Sequence, residues 1–392
     1  MIVDVAQYFL WCGVFFLYIF LMNAYLFNPE NDLALAAGTA NYTPPKNALL
    51  LSDCGRLLPV WYAAPESVVL AKPGYESWIN EVCEMYRLDV ICRDTLPQNV
   101  ICSPWGWSMY AARIFSNAGV ATKFLPTVDA LSRLRNLSHR RISISVVQAL
   151  RRVVNFEITK IATEAKSAAD VVNYAKNTDT FYFKSPWSST GRGVALSSSM
   201  SAEEVLRRCE GIINRQGSVM LEPAVNKVQD FAMLFYADTG KITHFGYSYF
   251  SNEGNSYSSN ILVDDGEILS MLSRYVPQEM LESLADNLQC VLTEIIGDAY
   301  TGYLGVDMMI YEECGVYKID VCTEVNLRMT MGVLARIWND RFMSPGVKGI
   351  LSVTYGNKGI DGNKIVEAGK LVRGTQHLVP PWQQFSITVN TI

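Results

Sequence analysis

The chain has 392 residues and carries 33 Lys and Arg against 38 Asp and Glu, a net charge of −5 that argues against a general nucleic-acid binder. With 49% hydrophobic and 11% aromatic residues it can bury a sizeable core, and its length allows two or three packed units. Nine scattered cysteines without a Cys-x-x-Cys pair, and three histidines, speak against a disulfide scaffold or zinc site and point to a reducing, cytoplasmic setting.

Residues 1–21 stand apart. Tyr8 through Leu21 is an unbroken apolar run, shorter than the roughly 18–20 residues of a spanning helix. No Lys or Arg precedes it, so a signal-peptide start is missing. The expectation is a misassigned start with Met22 as initiator; a weak membrane anchor is the alternative.

Residues 22–125 read as a small α/β domain. Strands are predicted at 24–27, 67–70, 89–91 and 100–102, with helices over 75–87 and 108–118, an alternation that gives a mostly parallel sheet. Ligands gather at the carboxyl ends of such strands. Asn28-Pro-Glu30-Asn31-Asp32 and Ser103-Pro-Trp105-Gly-Trp107-Ser108 lie at such ends. They are candidate substrate residues and, equally, helix N-caps.

Residues 126–210 form a second unit, with helices predicted over 145–154 and 168–176, a strand at 181–183 and a helix opening at Ser201-Ala-Glu-Glu204. The arginines 133, 135, 140, 141, 151 and 152 read as the polar face of helices rather than an RNA surface. A third unit, 211–340, starts with a strand that ends in Glu222, breaks at Pro223 and resumes at Phe231. Within it, Tyr247 to Tyr257 reads as a polar aromatic loop, 277–296 as an amphipathic helix, and Met329-Thr-Met-Gly332 as the start of another helix. Residues 341–392 read as a strand-and-loop extension.

Three segments carry chemistry. In Phe181-Tyr-Phe-Lys184-Ser-Pro-Trp-Ser-Ser-Thr-Gly191-Arg-Gly193, a strand delivers a lysine and a loop of small residues follows. Small residues let backbone N–H groups approach phosphate oxygens. The order is neither that of a Walker A loop nor that of a dinucleotide fingerprint. In Val219-Met-Leu-Glu222-Pro-Ala-Val225, continuing to Asp230, a broken strand can present backbone groups to a base edge, with carboxylates nearby.

The third segment is Glu324-Val-Asn326-Leu-Arg328, whose named side chains share one face of a strand. The segments 305–311 and 317–326 read as a hairpin, and a loop at roughly 314–317 sets Asp307 opposite Glu324. Two carboxylates and an amide oxygen suit a Mg²⁺ ion that also holds phosphates. Asp320 shares the parity of Glu324, and nothing in the sequence singles it out.

Taken in order, these segments resemble the ATP-grasp superfamily, and Glu-x-Asn-x-Arg is most similar to its carboxylate–amine ligase branch. The resemblance covers roughly residues 120–335. It implies an α/β (α+β grasp) architecture: an ATP-grasp clamp of two subdomains, 126–210 and 211–340, behind a small α/β domain. It further implies that Lys184 holds the α- or β-phosphate, while Ser188, Ser189, Thr190, Gly191 and Gly193 cover the β,γ end. Glu222 and the Val225 backbone would read adenine, with Asp230 near the ribose. Asp307, Glu324 and Asn326 would hold Mg²⁺, with Mn²⁺ as the alternative ion, and Arg328 would steady the transferred phosphate. The family usually has an earlier lysine where this chain reads Leu137-Ser-His139-Arg140, so Arg140 would take its place.

The activity implied is an ATP-dependent ligase that activates a small-molecule carboxylate as an acyl phosphate for attack by an amine, releasing ADP and phosphate. A small-molecule kinase on the same clamp and a non-catalytic ATP-binding regulator are the rivals. Neither nucleic acid nor membrane is an expected partner.

Overall fold

The computed structural model describes residues 22–188, 193–253, 256–356 and 364–392. Residues 1–21, and with them the apolar run, lie outside the described residues. Among the described residues no helix is long and apolar enough to cross a membrane.

The first unit is the predicted parallel sheet. Strands β1 (Asn23–Leu26), β2 (Ser67–Leu70), β3 (Val90–Arg93) and β4 (Ile101–Pro104) pair in the order β3-β2-β1-β4, all parallel. Helices α1 (Asn31–Ala37), α2 (Lys46–Gly55), α3 (Glu76–Tyr86) and α4 (Met109–Asn117) connect or flank them. The helix α2 was not predicted; its sequence Lys-Asn-Ala-Leu-Leu-Leu-Ser has no polar–apolar period clear enough to announce it. Ser108 caps α4, its hydroxyl accepting from the Ala111 N–H at 3.2 Å, so at that position the capping alternative holds.

Helices α5 (Val128–Leu137) and α6 (Ile142–Leu150) follow. The next elements are β5 (Thr163–Ala165), α7 (Ala168–Ala175), β6 (Phe181–Lys184), β7 (Val194–Leu196), α8 (Ala202–Gln216) and β8 (Val219–Pro223). Their strands form an antiparallel sheet in the order β5-β8-β6-β7. The Glu222 strand therefore belongs with the Lys184 strand. A small core of Val171, Phe181, Phe183, Val205, Ile212 and Leu221 joins this sheet to α7 and α8.

The large sheet starts with β9 (Asn226–Asp238), β10 (Lys241–Glu253) and β11 (Ser256–Leu262), followed by α9 (Asp265–Leu272) and α10 (Gln278–Ile296). Then come β12 (Gly302–Glu313), β13 (Val316–Asn326), α11 (Met331–Phe342) and β14 (Gly349–Tyr355). A separate hairpin, β15 (Ile365–Glu367) and β16 (Lys370–Arg373), precedes β17 (Thr375–His377) and β18 (Phe385–Thr391). The order is β13-β12-β9-β10-β11-β14-β18-β17. Two expectations change here. The strand after Pro223 resumes at Asn226 rather than Phe231, and the stretch predicted as a loop around Tyr247–Tyr257 runs into two paired strands. Aromatic residues alternating with small polar ones suit a half-buried strand, and that pattern outweighs the polarity.

Both faces of the large sheet are covered. On β9, Phe231, Met233, Phe235 and Ala237 enter a core with α6 and α10, while Ala232 and Leu234 enter one shared with α11 and the first unit. This explains why Phe231-Ala-Met-Leu-Phe is a continuous apolar run. The second core is aromatic at its centre: Trp61 lies 5.6 Å from Trp338 and 5.5 Å from Phe342, ring centre to ring centre. The indole N–H of Trp61 donates to the Leu378 carbonyl at 2.7 Å. Trp61→Ala should lower stability by about 3–5 kcal/mol. Denaturant unfolding of variant and wild type measures this directly.

Candidate functional site

The cleft lies where three parts meet: the end of β13 with the residues just after it, the loop after β6, and the helix α1. It is lined by Asp32, Trp187, Ser188, Glu324, Asn326 and Arg328, among others.

Its acidic pair rests on strand register. The hairpin turn is only Cys314-Gly315, both with positive φ (52° and 79°), the backbone that a two-residue hairpin requires. That turn is shorter than the sequence reading assumed, and an uninterrupted ladder from it would set Asp307 opposite Cys322. A bulge corrects this. Met309 pairs with Asp320 but Asp307 pairs with Glu324, so β13 carries two extra residues there. The Thr323 hydroxyl donates to the Asp307 carbonyl at 3.0 Å across the bulge. Asp307 and Glu324 are thus opposite each other as predicted, by a shorter turn plus a bulge.

Asn326 joins them, its amide N–H₂ donating to Asp307 Oδ2 at 3.0 Å. Burial first, and the neighbouring Glu324 charge second, push the Asp307 carboxyl up to about 7. Among the described residues no three His, Cys, Asp or Glu side chains converge as a metal site complete in itself. Two carboxylates and an amide suit an ion that takes its other ligands from phosphate oxygens and water. On donor chemistry, the residues present fit Mg²⁺ of that kind.

The cations are already paired. Arg140, in the turn between α5 and α6, holds Glu324 Oε2 at 2.8 Å and donates to the Ser185 carbonyl at 3.0 Å and the Ser188 hydroxyl at 3.2 Å. Its neighbour His139 is buried against Trp187, and burial drives its imidazole down to about 4, leaving it neutral. Arg328 grips Asp32 of the first unit with Nε and Nη2 at 2.8–3.1 Å, and Nη2 also donates to Asn326 Oδ1 at 2.8 Å. Burial opposes the Arg328 charge, but Asp32 and the cleft carboxylates raise its pKa.

Lys184 donates to Glu222 Oε2 at 2.7 Å, and the same oxygen receives Lys160 at 2.9 Å. Lys160 also pairs with Asp320. Burial works against the Glu222 charge, yet the two ammonium groups hold the carboxyl down at about 2. Sequence reading missed Lys160 and dismissed Asp320. The parity of Asp320 with Glu324 was the available signal; nothing marked Lys160, since its partners are distant in sequence.

The remaining predicted residues are placed as follows. Gly193 packs at the loop base, its carbonyl accepting from the Ser185 N–H at 2.7 Å. A Cβ there would come within 2.5 Å of Ser188, so the close approach requires glycine. The Val225 carbonyl accepts from the Lys227 N–H at 2.9 Å. Asp230 is tied to Lys227 and Asn252, each at 2.8 Å, and lies on the same face of the large sheet as Asp307, whose ladder partner Ala232 is two residues further along β9. Ser189, Thr190 and Gly191 lie outside the described residues.

No protein-family model matches this chain, and no curated protein matches it either. Solved structures do. The biotin carboxylase domain of 2-oxoglutarate carboxylase from Hydrogenobacter thermophilus aligns with a TM-score of 0.51 at 13% identity, over 94% of this chain and 86% of that one. N5-carboxyaminoimidazole synthetase from Staphylococcus aureus, complexed with ADP, aligns with a TM-score of 0.45 at 12% identity, over 95% and 93%. The fold is the ATP-grasp fold that the ordered segments implied, with a small α/β unit ahead of the clamp.

The raised Asp307 pKa has a consequence for stability. A carboxyl whose folded pKa lies above its unfolded value stabilises the fold below the unfolded pKa and loses that contribution as pH rises through the folded one. The metal-free protein should therefore lose stability from about pH 4 to about pH 7 at this site. Melting temperatures of wild type and Asp307→Asn across that range, with chelator present, check it: the variant should show the shallower decline.

Proposed function

We propose that this protein is an ATP- and Mg²⁺-dependent ligase that activates a small-molecule carboxylate as an acyl phosphate, which an amine then attacks to give an amide, ADP and phosphate. The observation that carries this reading is the convergence of Asp307, Glu324 and Asn326 on one polar face, with Arg140 and Arg328 bonded to it and Lys184 joined through Glu222 and Lys160 to Asp320 on β13. Asp307, Glu324 and Asn326 would hold Mg²⁺, which when bound offsets the negative charge on the transferring phosphoryl oxygens.

The other roles fall to this chain's side chains. Lys184, fixed on Glu222, offers its ammonium to the α- or β-phosphate, and Arg140 takes the position of the family's first lysine. Glu222 keeps Oε1 beyond its two lysine contacts, and with the Val225 backbone it faces the adenine edge; Asp230 is assigned to the ribose. The loop of Ser188, Ser189, Thr190, Gly191 and Gly193 covers the β,γ end and excludes water from the acyl phosphate. Arg328, held between Asn326 and Asp32, joins the phosphate side of the cleft to the first unit. That unit would hold the carboxylate and amine substrates.

One observation favours a second reading, a nucleotide-binding regulator without turnover: Arg140 already neutralises Glu324. A trapping experiment separates the two. Protein begun at Met22 is incubated with Mg-ATP, pooled carboxylates and hydroxylamine, and ADP and hydroxamates are measured. Carboxylate-dependent ADP with a hydroxamate is expected; bound ATP without turnover overturns the ligase reading, and a stable phosphorylated product points to a kinase. Glu324→Gln should abolish ADP release while leaving the circular dichroism and melting curve close to wild type.

A further inference from the structure

The chain crosses between the small antiparallel sheet and the large sheet twice. One crossing runs from Ile158, buried in the large core, to Ala165 in the small one. The other runs from Leu221 in the small core to Phe231 in the large one. Lys160 stands on the first crossing and Glu222 at the start of the second, and they are bonded to each other at 2.9 Å. The same Lys160 ammonium reaches Asp320 on β13, the edge strand of the large sheet that also carries Glu324. Lys160, Glu222 and Asp320 are 7%, 4% and 3% exposed, so solvent screens little of this network. Lys184, on the small sheet, completes it through Glu222.

We infer that Lys160 is a positioning residue of the nucleotide cleft: by tying Glu222 to Asp320 it pins both chain crossings to the metal-bearing strand and sets the opening between the two sheets. This rests on the proposed function only for its consequence, nucleotide affinity; the pinning itself is a property of the protein alone. A merely packed lysine in this place would need one partner. Here three chain segments meet at a single ammonium: the first crossing, the end of β8 in the small sheet and β13 in the large one. Fixing Glu222 also fixes the carboxylate that aims Lys184, so loss of Lys160 should misdirect a phosphate ligand that it does not touch.

The test must keep the fold intact. Lys160→Met alone strands the Asp320 charge and should destabilise the protein. Lys160→Met with Asp320→Leu removes one positive and one negative charge together, leaving Lys184 with Glu222. Apolar replacements of a buried ion pair are commonly tolerated, so this double variant should melt close to wild type. Two measurements follow on it. Spin labels on non-natural amino acids at the exposed positions Val172 and Val316 report the separation of the small sheet's helical layer and the β12–β13 hairpin. Calorimetry with Mg-ATP reports affinity.

The double variant should show a broader or shifted label distance. Its Mg-ATP affinity should be about tenfold or more weaker, the scale of one charge-assisted hydrogen bond lost when Lys184 is no longer aimed by a fixed Glu222. An unchanged distance distribution overturns the inference whatever the affinity does, since the network would then be a stability device only. If the wild type fails to bind Mg-ATP, the functional reading falls, and the label distance still decides whether Lys160 sets the opening.

Discussion

The Glu222 carboxylate, buried between two ammonium groups, is the constraint on which the cleft depends. A lone carboxylate this deep would take up a proton or cost several kcal/mol to keep charged. With Lys160 and Lys184 on one oxygen the charge is retained well into acid, and its position is fixed from two directions. Removing either lysine would leave a surplus negative charge in low dielectric, a loss of about 3–5 kcal/mol for a buried pair. The small sheet, the crossing segments and β13 are therefore held in register by electrostatics that act over a few ångströms.

The large sheet supplies the rigid side of the clamp. Because β9 is covered on both faces, it is anchored between α6 and α10 on one side and α11 with the first unit on the other. The polar residues of β12 and β13 face neither core fully; they emerge where the sheet edge meets the small sheet. The bulge in β13 belongs to the same logic. It interrupts the ladder at the point where two carboxylates must face each other, and the Thr323 hydroxyl occupies a backbone carbonyl at the irregularity.

Much of this was legible in the sequence because local rules carry it. The four parallel strands of the first unit and helices α3 and α4 follow from alternation and turn residues, and Asp307 facing Glu324 follows from strand parity. The facing was reached with a loop of the wrong length. A bulge is a tertiary compromise that no period-2 pattern displays, so two errors cancelled. Asp230 is tied to Lys227 and to Asn252, a partner on the neighbouring strand that local periodicity does not display. Lys160 and Asp320 were illegible for a different reason: they are 160 residues apart and become partners only when the two sheets are assembled. Arg328 bridging to Asp32, 296 residues away, is of the same kind.

Every cation of the cleft named here is matched to a carboxylate: Arg140 to Glu324, Lys184 and Lys160 to Glu222, Arg328 to Asp32. On the proposed function, a site that receives a polyanion and a divalent ion must stay charge-balanced without them, since buried like charges are costly. The side chains would do this by standing in for both visitors, guanidinium for metal at Glu324 and carboxylate for phosphate at Lys184. Binding would then be an exchange of partners. Its specificity would come from geometry, because an anion that drew Arg140 away without a metal would leave Glu324 and Asp307 facing each other uncompensated. That coupling would favour the metal–nucleotide pair over either component alone.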